Sequence, residues 1–297
     1  MSTDYTSADA IQGLLNENNE AFMDGLEAAL AGLEFFQVSN EMIATKEVVQ
    51  GLPPSGYHEH TPGQDIVTEE LRDGYTATFT RFTLAYGLAM DSIARATVKP
   101  QIMVEFLRAL GITSGNAVVQ ACVDDQFNNG WGTNWADGVP WFSNSHPSNV
   151  GLQDNLLAST LDHAAMQAAE IMLLDQLGPD GQKLGLRPAR LAVPTALKNI
   201  GAAVLSPGVL VPSAGSTSFA TPNPTAGAAQ LVVLHALSST TRSVLMAEGY
   251  SPRLIFVETA SPVVKEQPGT KSDIKILDQV TFLSGRPTWR GAIGIGA

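Results

Sequence analysis

The chain has 297 residues, 44% of them hydrophobic and only 15% charged, so it can bury a substantial core as one elaborate domain or two ordinary ones and is not a disordered polymer. Its formal charge of -12 excludes a free-standing nucleic-acid binder, which needs a basic footprint to displace counterions from phosphates, yet suits a container that encloses nucleic acid without gripping it. A surface with so few charges must be covered by small neutral residues or by other subunits, which moves the expectation from a solitary enzyme towards an assembly protein.

Residues 8 to 34 place Ile11, Leu14, Leu15, Phe22, Leu26, Leu30 and Leu33 at helical spacings, with Ser7 as a cap candidate, and predict an amphipathic N-terminal helix. Asp4, Asp9, Glu17, Glu20, Asp24, Glu27, Glu34 and Glu41 occur before Lys46 with no Lys or Arg among them. This acidic arm either faces a basic patch on a neighbour or is a solvated helix. Val48 and Val49 hint at extended structure. Residues 51–63 (GLPPSGYHEHTPG) hold three prolines and three glycines and exclude a regular element. Residues 75 to 86, rich in Thr and aromatics, predict a strand, so the region reads as a long two-armed excursion with a Pro/Gly tip.

Pro100 can open a helix predicted over 99 to 128, with Ile102, Met103, Phe106, Leu107 and Leu110 on one face and Val118, Val119, Cys122, Val123 and Phe127 further along. Gly111 and Gly115 mark places for an interruption or kink. Replacing Phe106 by Ala would cost roughly 3–5 kcal/mol if that ring is fully buried. Residues 128 to 140 read as loop, and Leu161, Ala164, Ala165, Ala168, Ile171 and Met172 predict a helix ending at Gly178. A short apolar strand over 190–194 follows, with Thr195 placed to cap a helix to Val204. Residues 206 to 229 form a loop too long for a simple connection. Strands are predicted at 231–234, 253–257, 274–282 and 289–294, and there is no evident internal repeat.

Cys122, the one cysteine, rules out an intrachain disulfide and sits in an apolar helical context, where a buried inert thiol is expected. Neither a secretory signal nor an 18-residue apolar run is evident, so no membrane association is expected. His58, Glu59 and His60 are residue types that zinc prefers, but a third ligand would have to come from far away. A loop-tip cluster with Tyr57 that hydrogen-bonds across a subunit boundary fits them better. His146, His163 and His235 have no metal spacing, and His146 has no accompanying nucleophile or metal motif. Asp124 and Asp125 read as solvated helix-end charges. Gly291, Gly294 and Gly296 have no following helix and cradle no phosphate. Trp131 and Trp135 are costly to expose, and either anchor a subunit contact or pin the loop to its own domain. No catalytic, cofactor-binding or metal residue is assigned.

Two segments carry a family resemblance. Residues 141–147 (WFSNSHP) and, about thirty residues on, 178–194 (GPDGQKLGLRPARLAVP) resemble, in kind and order, an F-x-x-x-H-P element and a GxKLGL(K/R)P turn leading into an apolar VP strand. Both belong to the major head subunit of Mu-like tailed phages. The resemblance implies an α+β chain of the Hong Kong 97 capsid fold. It would comprise an N-terminal arm (1–35), an extended loop (36–90), a peripheral domain (91–185) with a spine helix at about 99–128, an axial domain (186–270) and C-terminal strands (271–297) returning to the peripheral domain. It implies a major capsid protein rather than an enzyme, without cofactors, that assembles with itself into hexamers and pentamers of an icosahedral head and encloses double-stranded DNA without sequence-specific binding. Expected partners are a separate scaffold or maturation protease, a portal and decoration proteins, with assembly in the host cytoplasm and residence in the virion. Lys46 is the sole Lys on the extended loop, and no covalent cross-linking is expected. The rival readings are an encapsulin-like nanocompartment shell and a soluble α/β enzyme using His146.

Overall fold

The computed structural model describes residues 19–40, 47–52, 72–90, 100–148, 151–179, 181–210, 221–259, 262–266 and 274–296. Helix α1 (Asn19–Leu30) ends in a short 3-10 turn (Ala31–Leu33), and helix α2 (Pro100–Gln126) runs 27 residues without a break. Of the N-terminal helix read from the sequence, residues 8–18 lie outside the described residues. Gly111 and Gly115 do not kink α2; they form the surface on which α1 lies. A Cβ on Gly25 would stand 2.2 Å from the Arg108 carbonyl oxygen, one on Gly111 2.1 Å from that of Phe22, and one on Gly115 2.6 Å from the Ala29 Cβ. The backbones touch where glycine removes the side chain, which is what close helix packing through small residues requires. Asp24 pairs with Arg108 at 3.3 Å, so part of the acidic arm is answered within the chain, in an exposed position where the pair contributes little stability.

Helix α2 covers a sheet whose backbone is strand β13 (Ile274–Gly285). Strand β4 (Thr80–Met90) pairs antiparallel along one edge of β13, from Ile274↔Met90 to Ser284↔Thr80. The other edge of β13 is shared by β11 (Arg253–Glu258) and β12 (Val263–Glu266), and β1 (Gln37–Asn40) adds to β11 in parallel. Leu254, Ile276, Val280 and Phe282 face the helices together with buried Leu107, Leu110, Val118 and Phe127. Residues 104–131 are long and apolar enough by composition to cross a membrane; here that apolarity is spent on α1 and this sheet. A hairpin of β2 (Glu47–Leu52) and β3 (Arg72–Thr78) leads into β4 through Phe79, which is 1% exposed and packs with Ile255 and Leu283 on the opposite face of the sheet.

The second sheet runs in the order β5 (Leu156–Leu157), β14 (Ala292–Ile295), β10 (Ser243–Ala247), β6 (Pro188–Val193), β9 (Gln230–Val233). Parallel strands β6 and β9 are joined over α4 (Lys198–Leu205). Helix α3 (His163–Asp175), whose first turn is capped by the Asp162 side chain on the Ala165 N–H at 2.7 Å, lies on the same face. Ala192, Val244, Met246 and Ala292 point into the core shared with α2, whereas Leu191, Val193, Leu245 and Ile293 point to α3 and α4. Burial on both faces explains why these strands read as apolar runs instead of alternating. Between residues 186 and 270, β6, β9 and β10 belong to this sheet and β11 and β12 to the first, while β7 (Val209–Leu210) and β8 (Thr221–Pro222) pair with each other; the two C-terminal strands also divide between the two sheets.

Six strands among the described residues escaped the sequence reading: β1, β5, β7, β8, β10 and β12, two of them, β7 and β8, within the predicted 206–229 loop. Thr195 caps no helix; it sits in a 3-10 turn (Thr195–Leu197), and its hydroxyl meets His235 Nδ1 at 3.2 Å. Phe106 is only half-buried, while its neighbour Leu107 is fully buried. Leu107→Ala is therefore expected to cost roughly 2–5 kcal/mol in chemical denaturation and Phe106→Ala less than the figure for a fully buried ring. Gly111→Ala should destabilise by at least about 1–3 kcal/mol through overpacking, despite the better helix propensity of Ala. Gly32→Ala, whose added methyl would sit 3.4 Å from Val119, should melt close to the parent.

Candidate functional site

Distant parts of the chain meet at one place, residues 288–291, just before β14. Trp141 donates its indole N–H to the Thr288 carbonyl at 3.1 Å, and Asn155 donates to that of Trp289 at 3.4 Å. From the end of α3, just ahead of the second resemblance segment, the Gln176 side-chain carbonyl accepts from the Gly291 N–H at 2.7 Å, and Arg290 Nε donates to the Leu177 carbonyl at 3.0 Å. Gly181 and Gly185 adopt φ of 80° and 60°, which lets the chain turn between Leu177 and β6.

His146 lies at the centre of this arrangement with its side chain 0% exposed. Its Nδ1 faces Asp137 Oδ2 at 2.6 Å, and the Asp137 side chain is equally inaccessible. The ring stacks on Trp289 at 4.2 Å with the planes 6° apart. A carboxylate that orients an imidazole is the back half of a hydrolytic triad. The front half is missing, because Nε2 faces two carbonyl oxygens, Trp141 O at 3.1 Å and Asn155 Oδ1 at 3.2 Å, and no hydroxyl. The enzyme reading built on His146 therefore finds an imidazole with no nucleophile to activate and no solvent access.

A second buried polar group closes the end of α2. Arg286 donates to the carbonyls of Gln126 at 3.1 Å and Asp125 at 3.4 Å, satisfying acceptors left over at a helix C-terminus. Asp125 is not the solvated charge expected from the sequence. Burial pushes its carboxyl up from the ordinary range, against the opposing pull of Arg286 and of hydrogen bonds from Gln126 and Ser284. Burial likewise lowers the Arg286 guanidinium to about 10, with Asp125 opposing. The Cys122 thiol is pushed far up, first by burial and then by the charge of Asp125.

Trp131 packs on Phe142 at 4.2 Å and under Arg242 at 5.0 Å, and Trp135 donates to the Arg286 carbonyl at 3.1 Å while meeting Tyr75 edge-on. Both pin the loop to its own subunit, and both remain only half-buried. Tyr57, His58, Glu59 and His60 lie outside the described residues. Among the described residues no group of three or more His, Cys, Asp or Glu is placed to hold a metal. His163 opens α3 and His235 lies on the surface beside Thr195, well separated in role from His146. An apolar groove of about 200 Å³ runs between α2 and the β4–β13 edge, lined by Leu84, Tyr86, Leu110, Ala117 and Val280. Tyr86 is 50% exposed at its rim, and Ile171, Leu174 and Ile200 present apolar side chains on the outer faces of α3 and α4.

Comparison with known proteins places this architecture. No family model matches the chain, and no curated protein matches it. Solved structures do. A chain of Mycobacterium phage Cain is 14% identical with a TM-score of 0.57, the match covering 89% of each chain. The capsid structure of cyanophage P-SCSP1u gives 10% identity and a TM-score of 0.53 over 89% of this chain and 86% of that one. A virus-like particle from Pyrococcus furiosus gives 8% identity and a TM-score of 0.51 over 94% and 98%.

The buried state of Cys122 has a direct check. In the native chain at mildly alkaline pH the thiol should resist a disulfide reagent for hours, and it should label stoichiometrically once denaturant is added. Rapid native labelling would mean that the end of α2 opens readily.

Proposed function

We propose that this chain, whose α+β architecture is the Hong Kong 97 capsid fold, is the major capsid protein of a tailed double-stranded DNA phage or prophage. The observation that carries the reading is the match over 86% or more of both chains to the cyanophage capsid structure, since a match of that extent concerns nearly the whole chain and not one shared motif. The two segments resembling Mu-like head subunits support it further.

In this reading the subunit works by geometry. Each copy presents unlike surfaces that close into hexamers and pentamers of an icosahedral head. The acidic arm and α1, the extended loop carrying β2 and β3, a peripheral unit of α2 with the first sheet, and an axial unit around the second sheet are the working parts. Tyr57, His58, Glu59 and His60, together with the exposed edges of Trp131 and Trp135, are its contact candidates. Burial of apolar area and strand addition at free sheet edges supply the association energy. A separate scaffold or protease, a portal and decoration proteins complete the partner list, and the enclosed DNA is held without sequence-specific contacts. Assembly takes place in the host cytoplasm and the product is the virion shell. The encapsulin-like alternative is supported by coverage of 98% of the Pyrococcus furiosus virus-like particle chain.

Electron microscopy of the pelletable fraction, with the chain expressed alone and with its natural co-purifying proteins, tests the proposal. Closed shells, tubes or six- and five-fold rings are expected, and nucleic acid rather than a protein cargo inside native particles separates phage head from nanocompartment. A compact monomer under both conditions would overturn the assembly reading. Replacing residues 53–71 by a short Gly-Ser turn should leave the melting temperature within a few degrees of the parent and abolish closed shells.

A further inference from the structure

The hydrogen-bond arithmetic around His146 leaves one proton to be assigned. Asn155 can point only one way: the Ser143 N–H donates to its Oδ1 at 2.8 Å, while its Nδ2 donates to the Trp141 carbonyl at 2.8 Å. A flipped amide would set N–H against N–H at Ser143. His146 Nε2 therefore faces two acceptors, Asn155 Oδ1 and Trp141 O, and needs a hydrogen. Nδ1 faces Asp137 Oδ2, and the other oxygen of that carboxylate accepts from the Val139 N–H at 3.3 Å. With a hydrogen on Nε2 alone, the Nδ1 lone pair would oppose a carboxylate oxygen in a site closed to water, and the buried charge of Asp137 would lose its partner.

We infer that His146 carries a proton on both ring nitrogens, and that the resulting imidazolium, clamped between Asp137 and the face of Trp289, is a charged clasp holding His146 and its loop to the turn at residues 288–291. Stacking on the Trp289 face at 4.2 Å suits a cation. Other charges border the clasp: Arg290 lies over the Trp289 ring at 4.5 Å, and Arg286 lies over Trp141 at 4.8 Å with Asp125 beyond it. Asp137 is the carboxylate that answers the ring.

Asp137→Asn separates the proton from the packing. An asparagine there can donate its amide N–H to a bare Nδ1 while its oxygen still accepts from Val139, so the loop stays docked around a neutral ring.

Ring-nitrogen NMR of the full chain labelled with 15N-histidine, as free subunit or as assembled particle, reads the state directly. Two protonated nitrogens on His146 are expected at neutral pH, and a neutral tautomer there would overturn the inference without any variant having to fold. The same spectrum of Asp137→Asn adds a second reading: one protonated ring nitrogen, Nε2, is expected on His146 in a chain that still folds. Two protonated nitrogens in that variant would equally overturn the inference. Neither outcome depends on whether the chain builds shells.

Discussion

The turn at residues 288–291 is the constraint on which the rest of the subunit depends. Strand β13 before it belongs to the sheet beneath α2, and strand β14 after it belongs to the sheet between α3 and α2. One turn of chain therefore couples the two sheets, and its backbone groups leave the ladder of one before entering that of the other. Four of them are met by partners from distant segments: Thr288 O by Trp141, Trp289 O by Asn155, Gly291 N by Gln176, and Gly291 O by the Ala247 N–H at 2.8 Å. Buried backbone groups left without partners are expensive, so such a turn exists only where other segments are committed to satisfying it. Gly291 is required twice over. Its φ is 75°, and a Cβ there would lie 2.2 Å from the Tyr250 ring.

This dependence gives the sequence its texture. Of the residues that close the turn, Trp141 belongs to one segment that resembles a known family, and Gln176 lies two residues ahead of the other, whose Leu184 N–H donates to the Gln176 backbone carbonyl at 2.9 Å. The charge deficit has a related origin. Helices α1 and α2 meet through glycine, and the second sheet is apolar on both faces, so neither has room for the long charged side chains that usually fill a soluble surface.

Elements with strong periodicity were legible from the residues alone. The length of α2, the exit of the Leu161–Met172 helix near Gly178 and the strand preceding Pro194 follow from spacing, proline and glycine placement. What stayed hidden had no local signal. Strand β10 opens with Ser243 and carries no turn residue on its N-terminal side that distinguishes it from the loop before it, yet all five of its residues are buried because β6 and β14 enclose it. Gly111 and Gly115 look like breaks when α2 is considered alone and become contacts only when α1 arrives. Asp125 looks like a solvated helix end until Arg286, 161 residues further on, is brought over it. The Asp137–His146 pair was equally invisible, since nothing in a nine-residue separation says that both side chains will be sealed from water.

The distribution of buried polar groups separates what is fixed in this subunit from what is available to others. Asp125, Gln126, Arg286, Asp137, His146, Asn155 and Gln176 are all turned inward, onto the end of α2 and the return of the C-terminal strands. Such groups lock one arrangement because every alternative leaves a polar atom unsatisfied in a low-dielectric interior. Apolar side chains such as Tyr86, Ile171, Leu174 and Ile200 are left facing outward. Apolar contacts are non-directional and tolerate small changes of angle, which the proposed assembly, with one subunit at both five- and six-fold positions, would require. Directional chemistry holding the subunit together, with permissive chemistry at its surface, is the division of labour that the proposed shell building would ask of a single chain.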